Sequence, residues 1–303
     1  MALTKTNDLS EVIRSVYSKE VLFNAQPQLK FEQFANVETQ LATEPGSDIK
    51  ILKYANLPSG GQLIEDQDIT PVAMSASQIA VTVTEYGNAV SVTELLLRQS
   101  FDKVMTNASK LLGLDYAKIN DLMLRDSLLA ATGLQKKFAG QAASRSALTN
   151  TDLFDTTLVK DGVEVLATNN VPKINGDFYV CILHPHQARG MRDDSAWINA
   201  SQYGAPGQIF NGEIGRYEDV VFVETTHTKT IANGVAHDGA TLAFATYQAI
   251  LLGADAFGKA VGLPVEMRDN GVESFGRKHS LAWYAIQGAK RLDDERVVML
   301  ESA

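Results

Sequence analysis

The 303-residue chain has one cysteine, eight prolines and no long apolar run, and each scarcity excludes a class of protein. Cys181 alone cannot close an intrachain disulfide, so a disulfide-stapled secreted domain is excluded. The amino-terminal segment places Lys5 and Asp8 where a signal peptide needs an unbroken apolar core. The most apolar later stretch, residues 241–257, contains polar residues and falls short of the roughly 18 apolar residues of a membrane span. We therefore expect the protein to reside in the reducing interior of a cell and to have no membrane partner.

Positive charge is also in short supply. The 27 Lys and Arg residues face 36 Asp and Glu residues, which gives a formal net charge of -9. Such a chain has no general field to attract phosphate, so tight or sequence-specific binding of nucleic acid is not expected. The contents of 45% hydrophobic and 21% charged residues are those of a globular protein with a sizeable core.

Residues 54–97 contain no Lys or Arg at all, yet they carry Glu65, Asp66 and Asp68. Apolar and small residues alternate at period two over residues 79–84, and a second β-rich run follows a predicted turn at residues 86–88. The pattern predicts a long two-stranded excursion. Because an isolated hairpin is marginal in water, we expect this excursion to lie on another surface.

The remaining patterns predict an α+β protein. A short amphipathic helix at residues 9–23 belongs to a segment too small for its own core, which predicts an arm. A long helix should begin near Thr93 and run to about residue 131, with a possible bend at Gly113. Further helices are expected at residues 153–168 and from Pro185 onward. The predicted strands cover residues 178–183, 220–224, 241–245, 249–252, 280–287 and 296–300.

Between these elements, residues 133–151 are small, polar and basic, with Lys136, Lys137 and Arg145, and predict a loop. An acidic protein surface is its expected partner, with nucleic acid as the alternative.

Catalytic motifs fail at specific positions. Residues 253–259 match the first seven positions of a phosphate-binding loop, but Ala260 stands where a hydroxyl must reach magnesium. His184 and His186 could ligate zinc, but Pro185 should end the strand between them and aim the two side chains apart. Cys181 lies in an apolar run typical of a buried thiol. We expect no enzyme, no catalytic residue, no cofactor and no metal, and a metal- or nucleotide-dependent cytosolic enzyme is kept as the less favoured alternative.

Several stretches, in this order, resemble the major capsid protein of tailed bacteriophages, the Hong Kong phage or Johnson fold, and more narrowly the family typified by coliphage N-four. They are Tyr54-Ala-Asn-Leu-Pro-Ser-Gly-Gly61, Glu85-Tyr-Gly87, Leu183-His-Pro185, Gly212-Glu-Ile-Gly215 before Val220-Val-Phe-Val223, and Ala285-Ile-Gln-Gly-Ala-Lys-Arg-Leu292. Their order covers most of residues 50–300.

The resemblance implies an N-arm at 1–53, an extended E-loop at 54–92 and a peripheral domain with a long spine helix at 93–169. An axial domain would follow at 170–270, and residues 271–303 would return to the peripheral domain. It also implies a late, self-assembling structural protein that forms hexamers and pentamers of an icosahedral virion capsid around double-stranded DNA, after assembly in the host cytoplasm. An encapsulin-like nanocompartment shell is the alternative on the same fold.

In such shells the E-loop of one subunit lies over its neighbour. We therefore expect Glu65, Asp66 and Asp68 to meet basic residues of a second copy. The candidates for these inter-subunit contacts are Arg277, Lys278, Lys290, Arg291 and Arg296.

Other expected partners are a portal, a separate scaffolding protein, because only about 50 residues precede the E-loop, and cement or decoration proteins. The founding member of the fold crosslinks a loop lysine, whereas no lysine lies between Lys53 and Lys103 here. That crosslink is expected to be absent from this E-loop.

Overall fold

The computed structural model describes residues 29–39, 48–54, 57, 62, 71–99, 104–130, 133–194, 197 and 213–303. Within these residues the strands form a seven-stranded sheet, a four-stranded sheet and two two-stranded pairs, and helices pack on the large sheets. The mixture confirms the expected α+β class. The predicted helix at residues 9–23 lies outside the described residues.

The helices are α1 (Glu94–Gln99), α2 (Val104–Leu128), α3 (Thr156–Thr168) and α4 (Pro185–Arg192). The strands, in chain order, are β1 (Asn36–Glu38), β2 (Asp48–Tyr54), β3 (Ala76–Thr82), β4 (Thr84–Thr93), β5 (Gln135–Phe138), β6 (Tyr179–Leu183), β7 (Glu213–Tyr217), β8 (Val220–Glu224), β9 (Lys229–Ile231), β10 (Ala236–His237), β11 (Ala240–Thr241), β12 (Thr246–Leu252), β13 (Phe257–Glu273), β14 (Lys278–Arg291) and β15 (Val297–Ser302).

The seven-stranded sheet has the order β5-β15-β12-β6-β8-β7, and β9 also pairs with β12. All five residues of β6 are buried, because this strand lies inside the sheet between β12 and its parallel neighbour β8. That position explains the continuous apolar run in the sequence. Helix α3 packs against β15. Asp155 is its N-cap, since the Asp155 carboxylate accepts from the Leu158 N–H at 2.9 Å.

The four-stranded sheet has the order β1-β13-β14-β4 and carries the long helix. Strands β13 and β14 form an antiparallel hairpin, and α2 packs across β14, where the rings of Tyr116 and Trp283 meet edge to face at 5.4 Å. At about 1.5 Å per residue, the 25 residues of α2 span roughly 37 Å. Gly113 is buried inside this helix and does not interrupt it.

The predicted excursion has a different partner from the expected one. Strand β4 runs unbroken through residues 86–88 and pairs with β14, whereas β3 pairs with β2 from the segment assigned to the arm. Period-two alternation identifies a strand but not its neighbour. Gly87 is explained by close packing rather than by a turn, because a Cβ there would lie 2.8 Å from the carbonyl oxygen of Trp283.

The prediction of one basic loop at residues 133–151 is also wrong. Lys136 and Lys137 lie on β5, which pairs in parallel with β15. Arg145 is buried and forms an ion pair with Glu301, a carboxylate that also accepts from Thr246 Oγ1. Since Arg145 is used inside the protein, it cannot contact an acidic partner or nucleic acid.

Two predicted strand positions need correction. Residues 241–245 are not one strand, because β11 ends at Thr241 and β12 begins at Thr246. The 17-residue strand β13 was not predicted at all, since Gly258, Gly262 and Gly271 interrupt its apolar pattern.

We predict that Gly288→Ala destabilises the protein, because a Cβ at this position would lie 2.1 Å from the backbone carbonyl oxygen of Thr82, which cannot move aside like a side chain. The expected loss is about 1–3 kcal/mol of unfolding free energy, measured by chemical denaturation.

Gly258→Ala is the matched control for this substitution. Its new Cβ would meet only the side-chain ends of Ile51 and Leu292, at 3.3 Å, and these can shift. A smaller loss is therefore expected. Equal losses in the two variants would contradict the close backbone approach at Gly288.

Candidate assembly interface

The first described residues of the chain are fastened to the long helix by a buried carboxylate. Asp121 of α2 is fully buried and accepts from the backbone N–H groups of Lys30 and Phe31 at 3.1 to 3.4 Å. Its Oδ2 also lies 3.0 Å from His227 Nδ1, in the loop before β9. One side chain thus joins the arm, the long helix and the seven-stranded sheet.

A second contact holds the same segment against the four-stranded sheet. Glu32 accepts from the buried ammonium group of Lys259 at 2.7 Å and from Asn120 Nδ2 at 2.9 Å. Lys259 lies on β13, where a phosphate-binding loop would require the start of a helix. The match at residues 253–259 is therefore not a nucleotide site, and its lysine has a structural partner.

Strands β2 and β3 form an antiparallel ribbon, called the ribbon below, whose apolar packing on the body lies at the end that contains Ile49 and Val81, called its base. Ile49 and Val81 are buried with Ala260 of β13, and Ile51 packs against them. Two lysines add polar contacts. Lys53 forms a 2.8 Å ion pair with Asp293, and the ammonium group of Lys290 donates to the carbonyl oxygen of Ala80.

Asp293 has two opposing influences on its ionisation. Partial burial favours the neutral acid, but the hydrogen bonds from Lys53 and from the backbone of Glu295 prevail and hold the pKa of Asp293 below its ordinary value. The carboxylate therefore stays charged at neutral pH and can keep its ion pair with the ribbon.

Exposure rises along the ribbon away from this base. Leu52 is 54% exposed and Tyr54 is 62% exposed, and beyond them Val72 and Met74 are exposed to 58% and 70%. Within the described residues, the distal half of the ribbon packs on no apolar cluster of the chain. This end has the composition of a contact surface.

The long helix also presents apolar residues to solvent. Leu111 and Leu114, three residues apart on α2, are exposed to 64% and 43%. Residues three apart share one face of a helix, so these two leucines form a small apolar strip. The strip is a suitable acceptor for an apolar ribbon.

The five basic residues named as contact candidates occupy different environments. Arg277 and Lys278 are exposed at the turn between β13 and β14, and Lys290 is exposed beside the ribbon. Arg291 is buried and donates to the carbonyl oxygen of Leu128 at 2.9 Å and to Asp294. Arg296 contacts Asp293 and Asp255 at the base of the ribbon. The acidic residues Glu65, Asp66 and Asp68 lie outside the described residues.

The histidine pair has a local structural role. His184 caps α4, because its Nδ1 accepts from the His186 N–H at 3.1 Å while Gln187 Oε1 accepts from the His184 N–H. Partial burial and the neighbouring imidazole of His186 lower the pKa of His184, so the neutral, capping form is favoured. The side chains do not point apart as predicted, since both rings stack on Tyr247 at about 4.5 Å.

The other candidate for catalysis, Cys181, is also in an unreactive environment. Cys181 is fully buried, and burial raises the pKa of its thiol, which disfavours a nucleophilic thiolate. Among the described residues, no group of three or more His, Cys, Asp or Glu side chains could hold a metal ion.

Two functional positions were missed from the sequence. Asp121 was unremarkable there, because nothing within the pattern of α2 shows that a carboxylate meets distant backbone N–H groups. Phe275 could have been noticed, since an aromatic residue between Ser274 and Gly276 in a polar turn is unusual.

Comparisons with known proteins agree with this architecture. None of the helices in the described parts of the chain is long and apolar enough to cross a membrane. No curated protein sequence matches the chain significantly. Among solved structures, the capsid of Ralstonia phage GP4 is 16% identical with a TM-score of 0.69, covering 89% of this chain and 87% of that chain. The capsid of cyanophage Pam1 is 15% identical with a TM-score of 0.67, covering 89% and 88%.

A more distant neighbour is the virus-like particle from Pyrococcus furiosus, which is 12% identical with a TM-score of 0.57 and covers 95% of this chain and 99% of that one. These structural similarities show that the chain shares the fold of these shells, which is the expected Hong Kong phage-type capsid fold. A sequence model of a protein family, described as phage capsid protein, matches residues 124–296, more than half of the chain. The chain therefore belongs to the phage capsid protein family.

Proposed function

We propose that this chain is the major capsid protein of a tailed phage and assembles, as hexamers and pentamers, into the icosahedral virion shell that encloses double-stranded DNA. Family membership and the shared fold support the assignment. The observation that carries it is the ribbon, whose base is packed and whose distal half exposes Leu52 and Tyr54, while Val72 and Met74 are exposed in the segment before β3. A building block of a shell needs such a surface, and a free monomer does not.

The ribbon would work by covering a neighbouring copy. Leu111 and Leu114 on α2 of that copy offer exposed apolar area of the kind that the ribbon lacks in its own chain. Burial of apolar surface contributes roughly 25 cal/mol per Å², so a few such side chains stabilise each contact modestly. Repetition of the contact around a closed shell makes the whole assembly stable.

We further propose that the chain is divided as the resemblance implies, with the boundaries moved to follow the strand pairing, so that β2 leaves the arm, β13 leaves the axial domain and β15 leaves the peripheral domain. The arm would end before β2, and the E-loop would include both strands of the ribbon and therefore begin at Asp48. The peripheral domain would contain α2 and the β13–β14 hairpin, and the axial domain would contain most of the seven-stranded sheet. Strand β15 at the end of the chain belongs to that sheet, beside β12.

The finer family and the remaining partners rest on the sequence resemblance. We propose membership of the group typified by coliphage N-four, and a portal, a separate scaffolding protein and cement or decoration proteins as partners. The net charge of -9 suits a container from which DNA must be released, since it gives no general attraction for phosphate. Because no lysine lies between Lys53 and Lys103, we propose a shell without E-loop crosslinks.

We also propose that Glu65, Asp66 and Asp68 of one copy meet cations of another. Lys290 is the best placed of the candidates near the ribbon, because its ammonium group is exposed and, among the described residues, has only a backbone carbonyl as partner. Arg291 and Arg296 already contact carboxylates of their own chain. Exposed pairs are worth about 0–1 kcal/mol each, so their effect would be on register and partner choice.

The first test replaces Leu52 by Asp. If the distal ribbon is buried between copies, the new carboxylate must be desolvated there, and the yield of closed particles should fall about tenfold or more. Negative-stain electron microscopy and sedimentation of particles expressed with the neighbouring genes measure that yield.

Two control variants define the result. Leu52→Ile keeps the apolar area and should assemble normally. Leu153→Asp introduces the same charge at a leucine of similar exposure on the body, before α3, and so controls for the added charge itself. Particle yields that are unaffected by Leu52→Asp would contradict the proposed role of the ribbon.

The charge proposal is tested by reversing Asp66 and Asp68 to Lys. Assembly should weaken, and the loss should diminish at high salt, because screening reduces the new repulsion between copies. Combining the reversal with Lys290→Glu should restore part of the yield. An unchanged yield at low salt in the Asp66→Lys, Asp68→Lys variant would show that these carboxylates do not contact a neighbour.

A further inference from the structure

The turn between β13 and β14 exposes an aromatic side chain completely. Phe275 has a relative exposure of 108%, and its backbone is in the left-handed region with a φ of 59°. The preceding residue, Ser274, has a φ of 52°. A left-handed backbone is unusual for a bulky residue and costs on the order of 1–3 kcal/mol, which the surrounding hairpin must offset. The turn thus holds a large apolar side chain outward at a cost.

Helix α1 adds apolar area at the same place. The backbone N–H of Glu94 donates to the carbonyl oxygen of Arg277 at 3.0 Å, and Thr93 pairs with Lys278. These contacts place the first turn of α1 beside the hairpin turn. Leu95 and Leu96, in that turn of α1, are exposed to 65% and 49%. Phe275, Leu95 and Leu96 are called the tip patch below.

The tip patch has cations at its edge. The side chains of Arg277 and Lys278 are exposed, and neither forms an ion pair within the described parts of the chain. Glu94 beside this edge is paired with Arg98, and Glu273 lies across from Lys278, so the edge keeps a small positive excess in a chain whose net charge is -9. It favours contact with an acidic surface, and another copy of the same chain offers one.

An open groove lies at the other end of the same hairpin. It has a volume of about 480 Å³ and runs between α2 and the strands β4 and β14. Its apolar wall consists of Tyr86, Ile119, Leu122, Met123 and Ala289. We call this feature the α2 groove.

The edge of the α2 groove carries the opposite charge to the tip patch. Asp126 lines this edge, and its side chain is 59% exposed. Its Oδ1 accepts from the guanidinium group of Arg125, whereas no partner of its Oδ2 is found among the described residues. Gly288 also lines the groove, where it packs against the backbone of Thr82. An apolar groove with a carboxylate at its edge matches an apolar knob with cations at its edge.

The tip patch cannot reach the α2 groove of its own chain. Ten residues of β14 separate Lys278 from Gly288, which at about 3.3 Å per residue is roughly 33 Å. The two surfaces can meet only between two molecules. Such a contact joins different surfaces of the two partners, so it can continue from copy to copy around a closed assembly.

We propose that the tip patch of one copy docks in the α2 groove of a second copy, with Phe275 inserted between the apolar side chains of α2 and Arg277 or Lys278 beside Asp126. The inference rests on the proposed function, since it concerns copies within a shell. It assigns the second copy as the occupant because knob, groove and both charges are present in one chain.

Disulfide trapping tests the contact. The single native thiol, Cys181, is fully buried and should stay silent. Shells are assembled from an equal mixture of Phe275→Cys and Leu122→Cys chains and treated with a mild oxidant. The proposal expects dimers on non-reducing gels from the mixture, none from either variant alone, and their disappearance on reduction.

Each other outcome overturns the proposal. Dimers from Phe275→Cys alone would show that two tips face each other. Shells without dimers would show that the tip and the groove do not meet, although the proposed function would stand because particles had formed. Slow thiol labelling of Leu122→Cys before assembly would show that the chain's own amino-terminal segment fills the groove.

If cysteine at position 122 prevents assembly, Phe275→Cys alone decides between burial and exposure of the tip. Its labelling by a maleimide should slow about tenfold or more when capsomers become shells, because a docked side chain is reached only on local opening. Cysteine at Leu153, an exposed position on the body, serves as the control. Equal labelling rates for Phe275→Cys in the two states would overturn the proposal.

Discussion

The structure depends on the way the ribbon is seated on the β13–β14 hairpin. Gly288 of the hairpin leaves no room for a side chain, because it lies against the backbone of Thr82, whereas Gly258 lies against the side-chain ends of Ile51 and Leu292, which can shift. Around them only Ile49, Val81 and Ala260 are buried. The body leaves Leu52 and Tyr54 of the ribbon more than half exposed, so these side chains are available to a second molecule.

A separate set of polar contacts joins the arm to the long helix α2. Asp121 accepts from the backbone at Lys30 and Phe31 and contacts His227, while Glu32 joins Lys259 and Asn120. The two carboxylates connect the arm to both large sheets through α2.

The sequence predicted those elements whose signal is local. The buried run of β6, the start of α4 at Pro185 and the presence of a long helix at α2 all follow from hydrophobic period and end signals. The bounds of the long helix were not predicted, because it was expected from about Thr93 to residue 131, whereas α2 covers Val104–Leu128 and Glu94–Gln99 form α1. Pairing could not be predicted in the same way. The alternation in β3 marked a strand but did not identify β2 as its neighbour, and β13 was hidden by its glycines.

The sequence indicated that the chain has a surface for a partner but did not identify the residues that form it. A segment without Lys or Arg and an excursion without a core indicated a surface for a partner, and the exposed ribbon agrees with that. The basic residues could not be sorted from sequence, because the burial of Arg145 and Arg291 depends on Glu301 and on the end of α2, which are far away along the chain. Phe275 became notable only when the turn placed it fully in solvent.

Hydrogen–deuterium exchange of the ribbon, before and after assembly, tests the central claim most directly. The amides of β2 and β3 have partners only in each other, so in free capsomers the distal end of the ribbon should open and exchange quickly. The account predicts strong protection of residues 51–54 and 76–79 in closed shells, with little change in β6. Equal exchange of the ribbon in the two states would show that it stays uncovered and would contradict the account.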